Sequence, residues 1–207
     1  MPRVLAITSE KGGVGKSTLA LHLAAALTER GLHVAVIDED ARVGSSLRWA
    51  ARAAAHGTPF PFAVLPADDV RPRRLAALDA VLIDTEGRPK RKALRELAAH
   101  ADLVLVPSGP GALELDSARD LLEYLERDAG AARRARAVLT RVPTAGRTGE
   151  EAREDLREAG FSVCNTLVHH CAAYGRAAEQ GALVSKVRGP RAKAAWNELL
   201  SLSRELL

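Results

Sequence analysis

A glycine-rich stretch near the start of the chain combines the residue types that bind phosphate groups. It reads Glu10-Lys11-Gly12-Gly13-Val14-Gly15-Lys16-Ser17-Thr18, between an apolar run at residues 4–7 and a helical pattern at residues 19–27. The glycines allow the backbone to curve so that its N–H groups face phosphate oxygens, and the following helix adds the partial positive charge of its N-terminus. Lys16 would reach the β- and γ-phosphates, and the Ser17 hydroxyl would complete the shell of a Mg²⁺ ion. The stretch, here named the phosphate loop (residues 10–18), therefore predicts a nucleotide site.

The first position of the phosphate loop departs from the usual pattern G-x-x-x-x-G-K-[ST]. Glu10 stands where that pattern has glycine, and Lys11 follows directly, so the string becomes K-G-G-V-G-K-S-T. A glycine-rich turn that merely joins a strand to a helix is the alternative interpretation. The combination of two lysines, three glycines and two hydroxyls in this context favours phosphate binding.

Carboxylates follow two of the apolar runs that read as buried strands. The run at residues 33–37 ends in Asp38-Glu39-Asp40, and the run at residues 80–83 ends in Asp84. Carboxylates at the carboxyl ends of parallel strands lie on the ligand-binding edge of the sheet. Asp84 fits the Walker B acid, which holds Mg²⁺ through water. For Asp38 and Asp40 the alternative role is to cap or solvate a loop.

The lysine-first phosphate loop resembles that of the deviant Walker-type ATPases of the ParA/MinD group, which position plasmids, chromosomes and other cargo in bacteria. The resemblance covers nearly all 207 residues and is greatest to the short ParA proteins typified by ParF. It implies an ATPase with ATP and Mg²⁺ as cofactors. In such proteins the residue matching Lys11 crosses a dimer interface to the nucleotide of the other subunit, and the residue matching Asp40 orients the attacking water. Ala41-Arg42 replaces the Pro-Gln of the family pattern D-x-D-P-Q.

The resemblance also implies a full set of site residues. The catalytic residues would be Lys11, Lys16 and Asp40. The strand that ends near residue 140 contributes to the adenine pocket in relatives, so Arg141 is a candidate base contact. The nucleotide contacts would be Lys11, Gly12, Gly13, Val14, Gly15, Lys16, Ser17, Thr18 and Arg141, and the metal ligands Ser17, Asp38 and Asp84.

Length, composition and the order of patterns predict the fold. Alternating strand and helix patterns predict one α/β domain over residues 1–207, a P-loop NTPase with a mainly parallel twisted sheet of about seven or eight strands and helices on both faces. Phe161–Leu167 reads as the last strand. Aromatic residues are only 3%, so the core must consist of Ala, Leu and Val. No helix-turn-helix domain precedes the first strand in this sequence.

The sequence also indicates in which compartment the protein resides and whether its cysteines form a zinc site. The net charge is +4, no signal peptide precedes the first strand, and no apolar run approaches the ~20 residues of a membrane span, so we expect a cytoplasmic protein. The closing helix from residue 190 reads as a packing helix rather than a membrane anchor. Cys164, His169, His170 and Cys171 match no common zinc spacing.

Two basic segments are candidates for contact with nucleic acid. The C-terminal basic cluster comprises Lys186, Arg188, Arg191 and Lys193 and contains no acidic residue. Its position at a turn before a helix favours phosphate contacts, and a solvated helix start is the alternative. The second basic run, Arg88–Lys92, is interpreted as a solvated helix start, with contact to DNA or a partner as the alternative.

As a whole, the resemblance implies a ParA-type partition ATPase associated with the nucleoid. ATP and Mg²⁺ would drive a sandwich homodimer that binds non-specific DNA, and a ParB- or ParG-like centromere-binding activator would stimulate hydrolysis. The alternatives are a MinD-like membrane-associated positioning ATPase, a filament-forming ParF-like ATPase, and an enzyme that phosphorylates or ligates a small molecule. The cargo stays open between plasmid, chromosome, chemotaxis cluster and microcompartment.

Overall fold

Apolar runs at most of the predicted strand positions form parallel strands in the computed structural model, which describes residues 1–207 except for the side chains of Pro72 and Arg74. The residues group into two units, each drawn from separate stretches of the chain. The first unit consists of Met1–Arg3, Ser17–Asp84 and Cys171–Leu207, and the second of Val4–Lys16 and Thr85–His170.

Strands and helices alternate along much of the chain. The strands are β1 (Arg3–Ile7), β2 (Val34–Asp38), β3 (Ala63–Pro66), β4 (Ala80–Asp84), β5 (Leu103–Ser108) and β6 (Ala135–Leu139). The helices are α1 (Lys16–Glu29), α2 (Ser45–Ala55), α3 (Pro72–Leu75), α4 (Arg91–His100), α5 (Ala112–Arg127), α6 (Thr148–Glu158), α7 (Ala172–Gln180) and α8 (Pro190–Leu206). Short 3₁₀ turns occupy Ala67–Asp69 and Val184–Lys186.

In the first unit, β2 lies between β3 and β4, and both pairings are parallel. The register places Asp38, the last residue of β2, directly beside Asp84, the last residue of β4. Because parallel strands end at the same edge, the two predicted metal ligands are neighbours on adjacent strands.

In the second unit, β5 lies between β1 and β6, again in parallel. Ser108 at the end of β5 pairs with Leu139 at the end of β6, and the backbone N–H of Thr140 donates to the Ser108 carbonyl at 2.8 Å. Thr140 and Arg141 therefore emerge at the carboxyl end of these two strands.

The α/β fold class is confirmed, but the described residues form six strands rather than seven or eight. Phe161–Leu167, predicted as a strand, contains one isolated bridge, of Val163 with Ala137, and a second bridge joins His169, just beyond this range, to Val142. Between them the pairing is interrupted at Asn165, whose carbonyl accepts from the Arg153 guanidinium at 2.7 Å and whose side-chain oxygen accepts from Arg157 at 2.7 Å. The prediction was wrong here because the pairing with β6 skips residues: the N–H groups of Cys164 and Val168 donate to the carbonyls of Ala137 and Leu139, both at 2.9 Å, so four residues stand opposite two and the chain must bulge between them.

Helix α8 packs into the fold, as predicted. It buries Trp196, Leu199, Leu202 and Leu206, and the Arg30 guanidinium caps its end by donating to the carbonyls of Ser203 at 2.6 Å and Leu207 at 2.7 Å. Within the part of the chain that the structure describes, no helix combines the length and the apolarity that crossing a membrane requires.

Helix α1 is buried on all sides from Leu19 to Leu27, with one polar residue, His22, in that stretch. The His22 Nδ1–H donates to the Thr18 carbonyl at 2.7 Å, and Nε2 accepts from the Val184 N–H at 2.9 Å, so the ring is neutral. It forms edge-to-face contacts with the rings of Trp49 and Tyr174, whose centroids lie 5.5 and 5.1 Å away. Burial lowers the pKa of His22 to about 4, against the opposing effect of the Thr18 carbonyl.

Acid should therefore destabilise this chain through His22. In the unfolded chain the imidazole of His22 has its ordinary pKa of about 6.5. Between about pH 6.5 and about pH 4 the unfolded chain therefore binds more protons than the folded chain. As the pH is lowered through this range, the free energy of unfolding decreases by up to about 3 kcal/mol. Urea unfolding at about pH 7 and about pH 4.5 should show this loss in the wild type and not in His22→Gln. The control is His100→Gln, at an exposed position of α4. An equal pH dependence in wild type and His22→Gln would contradict the account.

Candidate functional site

The phosphate loop curves through left-handed glycines in the second unit. Gly13 and Gly15 have φ angles of +77° and +91°, which residues other than glycine rarely adopt. The constraint is one of backbone conformation, since an added Cβ would meet no atom within 4 Å at either position. Among the described residues, the backbone N–H groups of Gly12, Gly13, Val14 and Gly15 donate no hydrogen bond to another protein group. A curved run of such N–H groups is a binding site for anions.

Ser9 holds the backbone that leads from β1 into the phosphate loop. Its hydroxyl donates to the Lys11 carbonyl at 2.9 Å, and its oxygen also lies 3.0 Å from the Lys11 N–H. Lys11 and Lys16 are both half-buried. Lys16 begins α1, whose first turn contains no acidic residue, so the helix N-terminus remains suited to an anion.

Glu10, the departure from the usual pattern, anchors the start of the loop. Its carboxylate lies 3.3 Å from Nη1 of Arg91, and its carbonyl accepts from Nε of Arg88 at 3.2 Å. The Arg91 guanidinium also lies 4.0 Å from the centre of the Tyr124 ring. Within the second basic run, Arg88 and Arg91 are therefore engaged with the protein itself, and Lys92 lies 3.9 Å from Glu96.

Asp38 and Asp84 are held by the start of α2 in the first unit. Each is only 2% exposed. The two oxygens of Asp38 accept from the backbone N–H groups of Asp40 and Leu47, both at 3.1 Å, and the Ser46 hydroxyl donates to Oδ2 of Asp84 at 2.8 Å. Helix α2 begins at Ser45, so its first turn orients both carboxylates.

Asp40 lies at the rim of this group. Its Oδ1 accepts from the Val43 N–H at 2.8 Å, which shapes the turn before α2. Glycine follows at position 44 with φ +58°, and its N–H donates to the Asp40 carbonyl at 2.7 Å. Asp40 therefore combines a loop-shaping contact with a half-exposed carboxylate, and its role toward water stays a prediction.

The donor set of the first unit fits Mg²⁺. This ion prefers oxygen ligands and binds through one or two carboxylates together with waters and substrate phosphates. Asp38, Asp84 and the Ser17 hydroxyl supply oxygen donors of that kind. Among the described residues, no group of three or more His, Cys, Asp and Glu side chains could hold a metal ion by itself, and this includes Cys164, His169, His170 and Cys171.

Arg141 lies against the phosphate loop. Its Nη1 donates to the Gly13 carbonyl at 3.2 Å and lies 3.5 Å from Oε1 of Glu114. Its predicted contact with the base stays a prediction.

Sequence reasoning missed Ser9, Ser46 and Thr140, which touch the loop or a carboxylate. Each is a single hydroxyl residue outside the motif. The one available signal was their position just beyond a strand or at the start of a helix.

The C-terminal basic cluster lies where the first unit leads from a turn into α8. Lys186 ends the 3₁₀ turn, and Arg191 and Lys193 stand in the first turn of α8; all four side chains of the cluster are exposed. A cleft of about 390 Å³ opens beside them, lined by Ser185, Val187, Gly189, Pro190, Lys193 and Trp196.

Comparison with known proteins identifies the class. The profile of the CobQ/CobB/MinD/ParA nucleotide binding domain matches residues 5–184. The chain therefore belongs to this family of nucleotide-binding proteins, which confirms the predicted ParA/MinD relationship. The predictions of an ATPase, and of ATP and Mg²⁺ as its cofactors, are confirmed with it.

Individual relatives show the range of the family. The chain is 32% identical over 212 residues to maintenance of carboxysome distribution protein A of Gloeobacter kilaueensis, covering 99% of this chain and 94% of the relative. A plasmid partition protein of Borrelia burgdorferi bound to AMPPNP shares the fold at a TM-score of 0.71 and 18% identity, with all of both chains covered. The septum site-determining protein MinD of Pyrococcus horikoshii with Mg-ADP does so at 0.74 and 19%, with 100% and 97% covered.

Substitution of Ser46 should raise the Mg²⁺ concentration that ATP hydrolysis requires. Ser46→Ala removes the hydroxyl that orients Asp84, so the Mg²⁺ concentration for half-maximal ATP hydrolysis should rise about 10-fold, as for other groups that orient a metal ligand. The matched control is Ser45→Ala, since Ser45 is the exposed neighbour in the same turn. A magnesium titration of the ATPase rate measures the effect. An unchanged requirement in Ser46→Ala would show that the hydroxyl does not orient a metal ligand.

Proposed function

We propose that the protein is an ATP-dependent positioning ATPase that dimerises around ATP and binds non-specific DNA in that state. The observation that carries this proposal is the lysine-first phosphate loop itself, with Lys11 beside a curved run of N–H groups that have no protein acceptor among the described residues. One lysine, Lys16, is sufficient for the phosphates of the chain's own nucleotide. The second lysine, at position 11, is the group expected to reach a nucleotide on another subunit.

The remaining site residues then take complementary roles. The N–H groups of residues 12–16 would cradle the phosphates, Ser17, Asp38 and Asp84 would hold Mg²⁺, and Asp40 would orient water. The ion would neutralise charge on the β- and γ-phosphate oxygens when bound. An exposed apolar side chain supports the dimer: Leu113, at 75% exposure, lies just after Ser108-Gly109-Pro110-Gly111, in the segment that resembles the dimer face of short ParA proteins.

The C-terminal basic cluster is the proposed DNA surface. Its four cations are exposed, and no acidic residue interrupts residues 186–193. In the second basic run, by contrast, Arg88, Arg91 and Lys92 each contact a group of the protein. Cations already engaged within the protein are less available to DNA phosphates, so the C-terminal basic cluster is favoured. Binding of this kind would place the protein on the nucleoid.

The proposed cargo is a protein microcompartment of the carboxysome kind. The relative at 32% identity, matched over nearly the whole of both chains, is named for carboxysome distribution. A protein bound to the cargo would then stimulate hydrolysis, in the place that a ParB- or ParG-like activator has in plasmid partition. Membrane positioning by α8 is disfavoured, because this helix already buries its apolar face in the fold.

DNA binding should depend on ATP and fall steeply with salt. If each chain neutralises about three phosphates, the logarithmic salt slope is roughly −2.7 for a monomer and roughly −5.4 for a dimer, so raising salt from about 50 to about 200 mM weakens the dimer about 10³-fold and the monomer about 40-fold. Arg188→Ala/Arg191→Ala should flatten the slope of the ATP-bound dimer by about 2–4. Fluorescence anisotropy on unrelated duplexes, with ATP and with ADP, measures both effects.

The matched control removes the same charge from the second basic run. Lys90→Ala/Lys92→Ala should leave the salt slope within about 1 of the wild type. The double variant at 188 and 191 should keep its ATPase rate and its ATP-dependent mass. Equal DNA binding with ATP and ADP would contradict the proposed switch, and a loss confined to the variant at 90 and 92 would move the DNA surface there.

A further inference from the structure

Two consecutive residues after β6 hold two consecutive carbonyls of the phosphate loop. The Thr140 hydroxyl donates to the Val14 carbonyl at 2.9 Å, and the Arg141 guanidinium donates to the Gly13 carbonyl at 3.2 Å. All four residues belong to the second unit. Thr140 is only 4% exposed and its hydroxyl also lies 3.4 Å from the Ser108 carbonyl, so it has little freedom to turn elsewhere.

These contacts determine where the loop's N–H groups point. In a trans peptide the carbonyl and the N–H of the same peptide unit point in opposite directions. A donor fixed on the Gly13 carbonyl therefore directs the Val14 N–H away from Arg141. A donor fixed on the Val14 carbonyl in the same way directs the Gly15 N–H away from Thr140. Both N–H groups lie in the run that has no acceptor among the described residues.

We infer that Thr140 and Arg141 are positioning residues that orient the phosphate loop, and that Arg141 acts on the phosphates through Gly13 rather than on the base. This inference rests on phosphate binding by the loop, but not on the dimer, the DNA or the cargo. Orientation before binding matters because a flexible glycine loop loses conformational entropy when it closes on a ligand.

The backbone of Arg141 supports this assignment. Its φ is +54°, a left-handed conformation that non-glycine residues rarely adopt and that persists where surrounding contacts maintain it. Glu114, 3.5 Å from the same guanidinium nitrogen that reaches Gly13, is such a contact. The side chain is thus directed to the loop by its own backbone and by a carboxylate at the start of α5.

The test distinguishes a role in orienting the phosphate loop from a contact with the base, because it compares ligands that contain a base with a ligand that lacks one. MgADP, MgGDP and magnesium pyrophosphate are titrated calorimetrically into wild type, Arg141→Gly, Thr140→Val and Thr140→Ser. Glycine at 141 accepts the left-handed backbone, so the substitution removes the side chain without straining the backbone. The matched control is Arg133→Gly, at another exposed left-handed arginine with φ +64°.

If the two residues orient the loop, Arg141→Gly and Thr140→Val should each weaken all three ligands by the same factor, about 10-fold, the loss expected for one hydrogen bond. Thr140→Ser keeps the hydroxyl and should restore most of the affinity, and Arg133→Gly should bind like the wild type. A loss for MgADP with unchanged pyrophosphate binding would assign Arg141 to the base and overturn the inference. Unchanged binding of every ligand in both variants would also overturn it.

Binding of these ligands does not require a dimer, so the calorimetric titration remains informative even if the protein is not a cargo-positioning ATPase. A wild type that binds MgADP but neither dimerises with ATP nor binds DNA would refute that function and leave the positioning roles of Thr140 and Arg141 standing.

Discussion

The site depends on one constraint of peptide geometry: a loop that offers its N–H groups to phosphate must turn its carbonyls away and find partners for them. In this chain those partners are side chains of the second unit. Arg88 takes the carbonyl of Glu10, Arg141 that of Gly13 and Thr140 that of Val14. Arg88 and Arg141 both have left-handed backbones, with φ of +59° and +54°. A pattern that is usually described by its glycines is therefore completed by residues far away in sequence.

The first unit solves a different problem, which is the orientation of two buried carboxylates. Asp38 and Asp84 end neighbouring strands, and two like charges placed so closely need donors around them. The first turn of α2 supplies two of these donors through the Leu47 N–H and the Ser46 hydroxyl. Further along α2, Trp49 donates to the Ala182 carbonyl at 2.9 Å, just before the turn that leads to the C-terminal basic cluster. One helix thus orients the two carboxylates that are proposed to hold Mg²⁺ and supports the segment proposed to meet DNA.

Much of this site could be predicted because its parts are contiguous in sequence. The phosphate loop is a single string, and Asp38 and Asp84 follow apolar runs whose period and length indicate buried strands. Other features depend on tertiary contacts that no local pattern encodes. Residues 161–167 have the composition of a strand, yet Asn165 leaves the pairing and its oxygens accept from two arginines of α6 instead. Likewise Arg88 and Arg91 read as a solvated basic run, but their guanidinium groups are close to Glu10 because the fold brings α4 to the loop.

The two lysines of the loop are proposed to serve different subunits, and the mass of the protein in solution tests this proposal most directly. Light scattering after gel filtration, with ATP and Mg²⁺, should give a dimer for the wild type, twice the monomer mass of 22.0 kDa. Lys16→Ala should not bind nucleotide, because the phosphates lose their direct charged partner. Lys11→Ala should still bind ADP and ATP but remain at the monomer mass. An ATP-dependent dimer of Lys11→Ala would contradict the account and indicate a site that is complete within one chain.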